Sequence, residues 1–328
     1  MGKKWVQRSI SLALKGILLV AALIFLFKRF DTQTLLEAFQ QPLHYPWVIG
    51  ISFLILWFLN LYIDALFWTR IHSMLEDVKV MRGFKINLIC YTLSFITPAN
   101  SGEWAGRYVM MSEQQNRKKS FFLNFWMHLP RLFSKLLISG LAGSILIYLL
   151  GMASFGQAIG LGLSFTIITM TVYLLFKRLQ KWLHLRNIGS FRLENYMLKG
   201  RPGIREKLTF LFLATWKFIT YNLQFALIIL LFSPDGLPLV FWFTVPVYYL
   251  ISSLLPSIAA ADFVLKSAVA IWIFEPIWNN ESLLILASIT IWFFNVVIPS
   301  FAGLYVIIKT NLFRSFKKKF SRGILSGL

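Results

Sequence analysis

The sequence predicts an all-α polytopic integral membrane protein, a single transmembrane domain over residues 1–328, and three observations carry that prediction. Hydrophobic residues make up 57% of the chain and charged residues 14%, whereas a soluble domain holds about a quarter charged residues. The mean hydropathy is +0.67, and apolar runs recur at the length needed to cross a bilayer. The bases, 33 Lys and Arg against 13 Asp and Glu for a net charge of +20, are concentrated in the stretches between alternate runs.

A spanning helix needs about 20 mostly apolar residues, because roughly 30 Å of hydrocarbon is crossed at 1.5 Å per residue. Six runs meet this condition: Ser9 to Phe27, Trp47 to Trp68, Phe121 to Leu150, Ala158 to Phe176, Leu208 to Phe232 and Leu283 to Ile308. The first is interrupted only by Lys15 and precedes no small-residue cleavage site, so a retained helix is expected rather than a signal peptide.

Two further apolar regions are broken. Hairpin 1, about 86–116, has an apolar stretch from Ile86 to Ile96, then Pro98-Ala-Asn-Ser-Gly102 and a polar continuation. Hairpin 2, about 237–275, is interrupted from Pro256 to Asp262. Proline and glycine break helices, and broken backbone at membrane depth is tolerated only inside protein or beside a wet cavity. Both regions are therefore expected to be re-entrant helical hairpins that leave on the side they entered. They are oppositely oriented, as in an inverted repeat.

With the N-terminus in the cytoplasm and both hairpins returning to their own side, 26 of the 33 bases fall on cytoplasmic segments. These include a basic loop over 177–207 and a basic tail over 309–328. The outside keeps Lys28 and Arg29 beside Asp31, Glu37, Asp235, Glu275 and Glu281. This is a positive-inside distribution, and it would collapse if either hairpin crossed as one span.

Five bases remain inside apolar segments, Arg107, Arg131, Lys135, Lys217 and Lys266, with three acids, Asp64, Glu103 and Asp262. A charge at the bilayer centre costs at least about 2.5–3.5 kcal/mol, so each asks for a partner or a ligand. Asn100 and Glu103 stand at capping-box spacing, which predicts a helix start there. Glu103 and Arg107 follow at i,i+4 on one face. Asp262 and Lys266 repeat that spacing after the second break. A half-helix starting in mid-membrane presents free N–H groups and positive dipole to an anion; mutual neutralisation of each pair is the plainer account.

His128, Arg131 and Lys135 share one helical face, with Asp64 and Glu103 as candidate partners. Lys217 heads a stripe with Tyr221, Asn222 and Gln224, where interhelical hydrogen bonding is the simpler expectation. Asn60 and Asn295 fit ordinary helix–helix bonding. The substrate-binding candidates are therefore Asp64, Glu103, Arg107, Arg131, Lys135, Lys217, Asp262 and Lys266, with Pro98, Gly102 and Pro256 as the hairpin breaks.

Several function classes are excluded or made remote. The lone Cys90 rules out an intramolecular disulfide or a cysteine metal cage. There is no P-loop, Rossmann fingerprint, HExxH or GxSxG motif. No cofactor, metal or catalytic residue is expected. The basic segments mix Lys and Arg with Phe, Leu and Trp, which suits the anionic inner leaflet rather than nucleic acid.

Pro98-Ala-Asn-Ser-Gly-Glu-Trp-Ala-Gly-Arg107 resembles the proline-glycine-glutamate-arginine signature of the transmembrane domain of lysylphosphatidylglycerol synthases, the multiple peptide resistance factor family. Leu255 to Lys266 resembles the family's later segment running from proline to Gly-Val-Arg-Glu. Trp292 to Gly303, with Asn295, Pro299 and Gly303, resembles its last span. The second motif departs from the family, with Ala260, Ala261 and Phe263 in a glycine-bearing stretch and Leu265-Lys266 in place of Arg-Glu.

The resemblance implies paired re-entrant hairpins, a membrane-embedded lipid site and movement of phospholipid between leaflets. The soluble aminoacyl-transferase domain of the synthases is not among these residues, so lysine transfer is not expected of them. The expected function is a lipid flippase-like transporter of the bacterial cytoplasmic membrane, acting on a phospholipid or polyprenyl-type lipid with an anionic headgroup. A lipid-modifying or glycosyl-transfer enzyme and a non-catalytic lipid-binding scaffold are the alternatives. An envelope-biosynthesis enzyme and a second copy of the chain are the protein partners this reading admits.

Overall fold

A computed structural model describes residues 20, 24–26, 28, 29, 32–40, 43–97, 101–111, 114–184, 203–233, 235–255, 261–278 and 280–310. The described residues are helical, with no strand among them. In chain order the helices are α1 (Thr32–Gln40), α2 (Pro46–His72), α3 (Val80–Ile96), α4 (Ser101–Met110), α5 (Gln114–Leu149) and α6 (Phe155–His184). They continue with α7 (Ile204–Leu231), α8 (Leu239–Leu254), α9 (Asp262–Phe274), α10 (Glu281–Trp292), a π-helical segment (Phe293–Val297) and α11 (Ile298–Lys309).

Among the described residues, five stretches are long and apolar enough to cross a membrane: Pro46–His72, His128–Leu149, Phe155–Leu175, Ile204–Leu231 and Glu281–Lys309. They correspond to five of the six expected spans; the expected span from Ser9 to Phe27 lies largely outside the described residues. The protein is thus a multi-pass membrane protein. Several boundaries move: α5 begins at Gln114 rather than Phe121, α3 at Val80 rather than Ile86, α6 at Phe155 rather than Ala158 and α7 at Ile204 rather than Leu208; α1 was not expected. The α3 shift has a simple reason: Met81 and Gly83 continue the helix through Arg82 and Lys85, whose charges had marked that stretch as loop. Of the 177–207 loop, residues up to His184 continue α6 as backbone, and most of the remainder lies outside the described residues, as does the tail beyond Thr310.

Packing leaves an apolar outer face and encloses both a hydrophobic core and a set of buried polar side chains. Trp47, Val48, Ile51, Ile55, Phe58 and Tyr62 of α2 are exposed, and α6 exposes Ile159, Leu163, Ile167 and Ile168. The buried face of α2 instead carries Asn60, Asp64, Trp68 and His72, each one turn from the next. The main core joins Phe218 and Phe225 of α7, Phe241 and Tyr248 of α8, Phe274 of α9 and Leu284 of α10.

Each predicted break separates two antiparallel legs. α3 and α4 run back along one another, since the Cys90 thiol lies 3.6 Å from the Glu103 carbonyl and Arg82 Nη2 lies 3.4 Å from the Met110 carbonyl. In the second unit, Phe241 at the start of α8 meets Phe274 at the end of α9, with ring centroids 4.6 Å apart. Pro98, Asn100 and Pro256 lie outside the described residues, so the expected cap at Asn100 does too. Gly102 falls in the first turn of α4, where its N–H donates to the Thr97 hydroxyl at 2.7 Å.

The ends of the bundle differ in charge. Phe67 of α2 contacts Phe210 of α7, and the Tyr173 hydroxyl donates to the Lys207 carbonyl. Gly303 of α11 lies against the Leu88 carbonyl of α3. These contacts bring Arg70, Arg82, Lys85, Arg205, Lys207 and Lys309 to one end. At the other end Arg29 pairs with Glu275 at 3.1 Å and Glu281 at 2.6 Å. The Glu275 hydrogen bond, followed by the charge of Glu281, raises the Arg29 pKa above its ordinary value, so this base stays charged at any working pH.

Candidate functional site: an ion cluster where the broken helices meet

The π-helical segment has a local cause. Pro299 lacks an N–H and cannot donate to the Asn295 carbonyl one turn earlier, so the regular ladder fails just ahead of it. The Phe294 carbonyl accepts from Trp57 Nε1 at 2.7 Å. The widened turn also carries Asn295 inward. Its side chain accepts from Asn60 at 2.6 Å and donates to Gln224 Oε1 at 3.1 Å, which ties α2, α7 and the last span together. Asn60 and Asn295 thus act as the expected interhelical bonds, whereas Asn222 turns back to the Phe218 carbonyl of its own helix.

Asp64, one turn beyond Asn60, is the hub. Its Oδ1 accepts from Arg131 Nη2 at 2.6 Å and from Lys217 Nζ at 2.5 Å. Its Oδ2 accepts from the Tyr91 hydroxyl at 3.2 Å and lies 3.5 Å from Asn87 Nδ2. One carboxylate therefore joins α2, α3, α5 and α7. The Asp64 side chain is 5% exposed, whereas Arg131 is 21% and Lys217 18% exposed. The acid is sealed and the bases keep an open edge.

Glu103 and Arg107 form the first i,i+4 pair at 2.5 Å, and Arg131 Nη1 stands 3.8 Å from the same Glu103 oxygen. The Arg107 guanidinium lies over the Trp68 indole and is among the largest fully buried side chains. It anchors α4 to α2 and offers little surface to a ligand. His128, on the same α5 face as Arg131, stacks on Trp104 at 5.9 Å.

Asp262 and Lys266 form the second i,i+4 pair at 2.5 Å, with side chains 17% and 22% exposed. Lys135 falls between the two groups. The charges that bear on it are, in order, Lys266, Arg131, Asp262 and Lys217. Asp64 and Glu103, its expected partners, serve Arg131, Lys217 and Arg107 instead. No acid among the described residues lies within ion-pair distance of Lys135.

The two helix breaks converge on one indole. Phe95, near the end of α3, lies 6.3 Å from Trp292, and Phe263, at the start of α9, lies 4.9 Å from it. All eight sequence-predicted site residues belong to this region, in two ion-paired groups bridged electrostatically by Lys135. Tyr91, Asn87, Trp68 and Trp292 were missed. Tyr91 and Asn87 sit at i,i+4 on one face of an apolar helix, a polar-stripe signal that could have found them; Trp68 and Trp292 carry no signal apart from ordinary aromatic packing.

Close approach explains the glycines of the signature. A Cβ at Gly102 would overlap the Leu93 carbonyl, and one at Gly106 would come 3.0 Å from the Cys90 sulfur. The same holds across α3 and α11, where a Cβ at Gly303 would overlap the Leu88 carbonyl. There Thr92 donates to the Ser300 carbonyl at 2.6 Å, and Ser300 Oγ lies 3.2 Å from the Tyr91 carbonyl. Small residues let helix backbones touch and bond in a membrane.

No curated protein matches the chain in a sequence comparison. A family model does: residues 12–261 match the lysylphosphatidylglycerol synthase TM region. That match covers both broken-helix units as far as the second break, and on this ground the chain belongs to the lysylphosphatidylglycerol synthase TM region family.

Proposed function

We propose that the protein is a lipid flippase-like transporter that moves a phospholipid, or another lipid with an anionic headgroup, between the leaflets of the bacterial cytoplasmic membrane. One observation carries the reading. A cluster of eight charged side chains, in which Asp64 and Arg107 are sealed while Arg131, Lys135, Lys217 and Lys266 keep an open edge, sits where two broken-helix units meet. Discontinuous helices meeting around a polar site are a recurrent device of membrane transport. Ionisable groups at membrane depth mark substrate or ion pathways.

The two units act as re-entrant hairpins in this reading. α3 and α4 have 17 and 10 residues, and α8 and α9 have 16 and 13. At 1.5 Å per residue every leg is shorter than the roughly 30 Å hydrocarbon core, which supports return rather than crossing. The basic end of the bundle then faces the cytoplasm, and both termini with it. Rocking of the two hairpins about the cluster exposes Arg131, Lys135, Lys217 and Lys266 to one leaflet or the other, while Asp64, Glu103 and Asp262 balance their charge. The membrane supplies the substrate, the anionic inner leaflet holds the basic segments, and the chain performs no covalent chemistry. An envelope-biosynthesis enzyme or a second copy of the chain is a fitting protein partner.

The test is leaflet exchange in reconstituted vesicles carrying fluorescent phospholipids, with dithionite quenching of the outer leaflet. Exchange well above protein-free vesicles is expected, falling about tenfold or more in Lys266→Gln, which loses a charge-assisted contact. No exchange for any lipid offered would replace this reading with the scaffold. Product formed from an activated sugar donor would replace it with the enzyme.

A further inference from the structure

The cluster does not balance. Asp64, Glu103 and Asp262 face Arg107, Arg131, Lys135, Lys217 and Lys266, so two positive charges stand in excess. Among the described residues, Glu206, Glu275 and Glu281 stand at helix ends and are engaged there, with the Gly203 N–H and with Arg29, so they do not make up the difference. The excess is local. Asp64 uses one oxygen for both Arg131 and Lys217, and Asp262 serves Lys266. Lys135 has no ion-pair partner among the described residues; it lies one turn beyond Arg131 on the same face of α5, within the field of Lys266, Arg131, Asp262 and Lys217. Arg107 is sealed by Trp68 and Glu103, so the unmatched charge lies with Arg131, Lys135, Lys217 and Lys266, whose side chains keep an open edge.

Gathering like charges in an apolar bundle is unfavourable unless an anion joins them. The charge of that anion can be counted. A phosphodiester carries one negative charge, whereas a phosphomonoester carries about −1.5 to −2 at pH 7. A diphosphate ester likewise exceeds one. Three of the four open bases are lysines, compact point charges that hold a phosphate from several directions without requiring a planar, bidentate partner.

From this balance we infer that the site selects a phosphate group carrying two negative charges, a phosphomonoester or diphosphate, over a singly charged phosphodiester, with Lys135 reading the second charge. The inference rests on the transport reading for the ligand being a lipid. The dianionic phosphate itself could arrive on a lipid or free in solution, and the measurement separates the two sources.

Binding to the purified full-length chain in neutral detergent, followed by native mass spectrometry at low ionic strength, tests it with three probes. These are dioleoyl phosphatidic acid, dioleoyl phosphatidylglycerol and inorganic phosphate. The phosphatidic acid is expected to bind about tenfold more tightly than the phosphatidylglycerol, the worth of one extra charge-assisted contact. Lys135→Gln should reduce that preference to about twofold or less, while Lys135→Arg, which keeps the charge, retains most of it. Displacement of the phosphatidic acid by millimolar inorganic phosphate would assign recognition to the phosphate alone; failure to displace it would assign it to phosphate and acyl chains together, with the dianion preference intact in both cases.

Equal affinity for the two lipids in the wild type overturns the inference, as does a preference that survives Lys135→Gln. Each variant is scored at an unchanged melting temperature, and if Lys135→Gln does not fold, the wild-type comparison with Lys135→Arg decides. Leaflet exchange without dianion preference would defeat this inference and leave transport standing. Dianion preference without exchange would do the reverse.

Discussion

Replacing Asp64 by Asn removes the one carboxylate that holds both Arg131 and Lys217, at 2.6 and 2.5 Å. At an effective dielectric constant of about 20 each pair has a gross Coulomb energy of about 6 kcal/mol, before the cost of desolvating the ions. Breaking a buried pair by deleting one partner typically costs 3–5 kcal/mol, because the surviving charge remains buried. The two bases here are about a fifth exposed, so water screens them and the lower end applies, about 3 kcal/mol. Thermal unfolding of the purified protein in detergent should show a fall in melting temperature of roughly 4–5 °C. Adding Lys217→Gln to Asp64→Asn removes one stranded cation and should recover about 1–2 kcal/mol, a non-additivity expected of groups in one network. A single variant within about 0.5 kcal/mol of wild type, or a double variant with strictly additive losses, would refute Asp64 as the electrostatic hub.

The helix contacts offer four further tests. Gly102→Ala places a Cβ against the Leu93 carbonyl and must push α4 off α3; a loss of about 1–3 kcal/mol is expected in the same unfolding assay, together with reduced leaflet exchange. Gly303→Ala should do the same at α11 and α3, where the obstacle is the Leu88 carbonyl, whereas Gly50→Ala, with open space around the glycine, should not lower the melting temperature. Asn295→Ala deprives both Asn60 and Gln224 of a partner and should cost about 1 kcal/mol, in keeping with measured interhelical hydrogen bonds in membranes. Pro299→Ala restores a backbone donor, so the π-helical turn should relax towards regular α-helix. Loss of the Trp57 hydrogen bond to the Phe294 carbonyl, read from the indole N–H chemical shift, would report that change.

Much of the architecture was legible because a bilayer imposes strict rules on composition. Runs of about 20 apolar residues located five helices that are long and apolar enough to span. The Pro98 to Gly102 and Pro256 to Asp262 stretches located the two interruptions, since backbone polar groups cannot be left open to lipid. The same rule drew attention to the charged residues inside apolar segments, and all eight lie in the cluster. Boundaries were less legible where a helix extends into water: Arg82 and Lys85 sit on α3, although charge alone assigned them to a loop.

Partner choice within the cluster was not legible. Three acids and five bases permit many pairings, and nothing local distinguishes Lys217 from Lys135 as the mate of Asp64. Their separation along the chain is 153 residues for Lys217, and the selection is made by how closely α2 and α7 pack at Phe67 and Phe210. The i,i+4 pairs Glu103–Arg107 and Asp262–Lys266 were readable for the opposite reason, because one helical turn sets their spacing wherever the helix lies. The meeting of both breaks at Trp292, and the isolation of Lys135 between two groups of charge, arise from helix packing between segments far apart in the chain. A hydropathy pattern states which residues must be buried or paired; which atoms then touch is decided by the few close approaches, at Gly102, Gly106 and Gly303, that set the distance between helices.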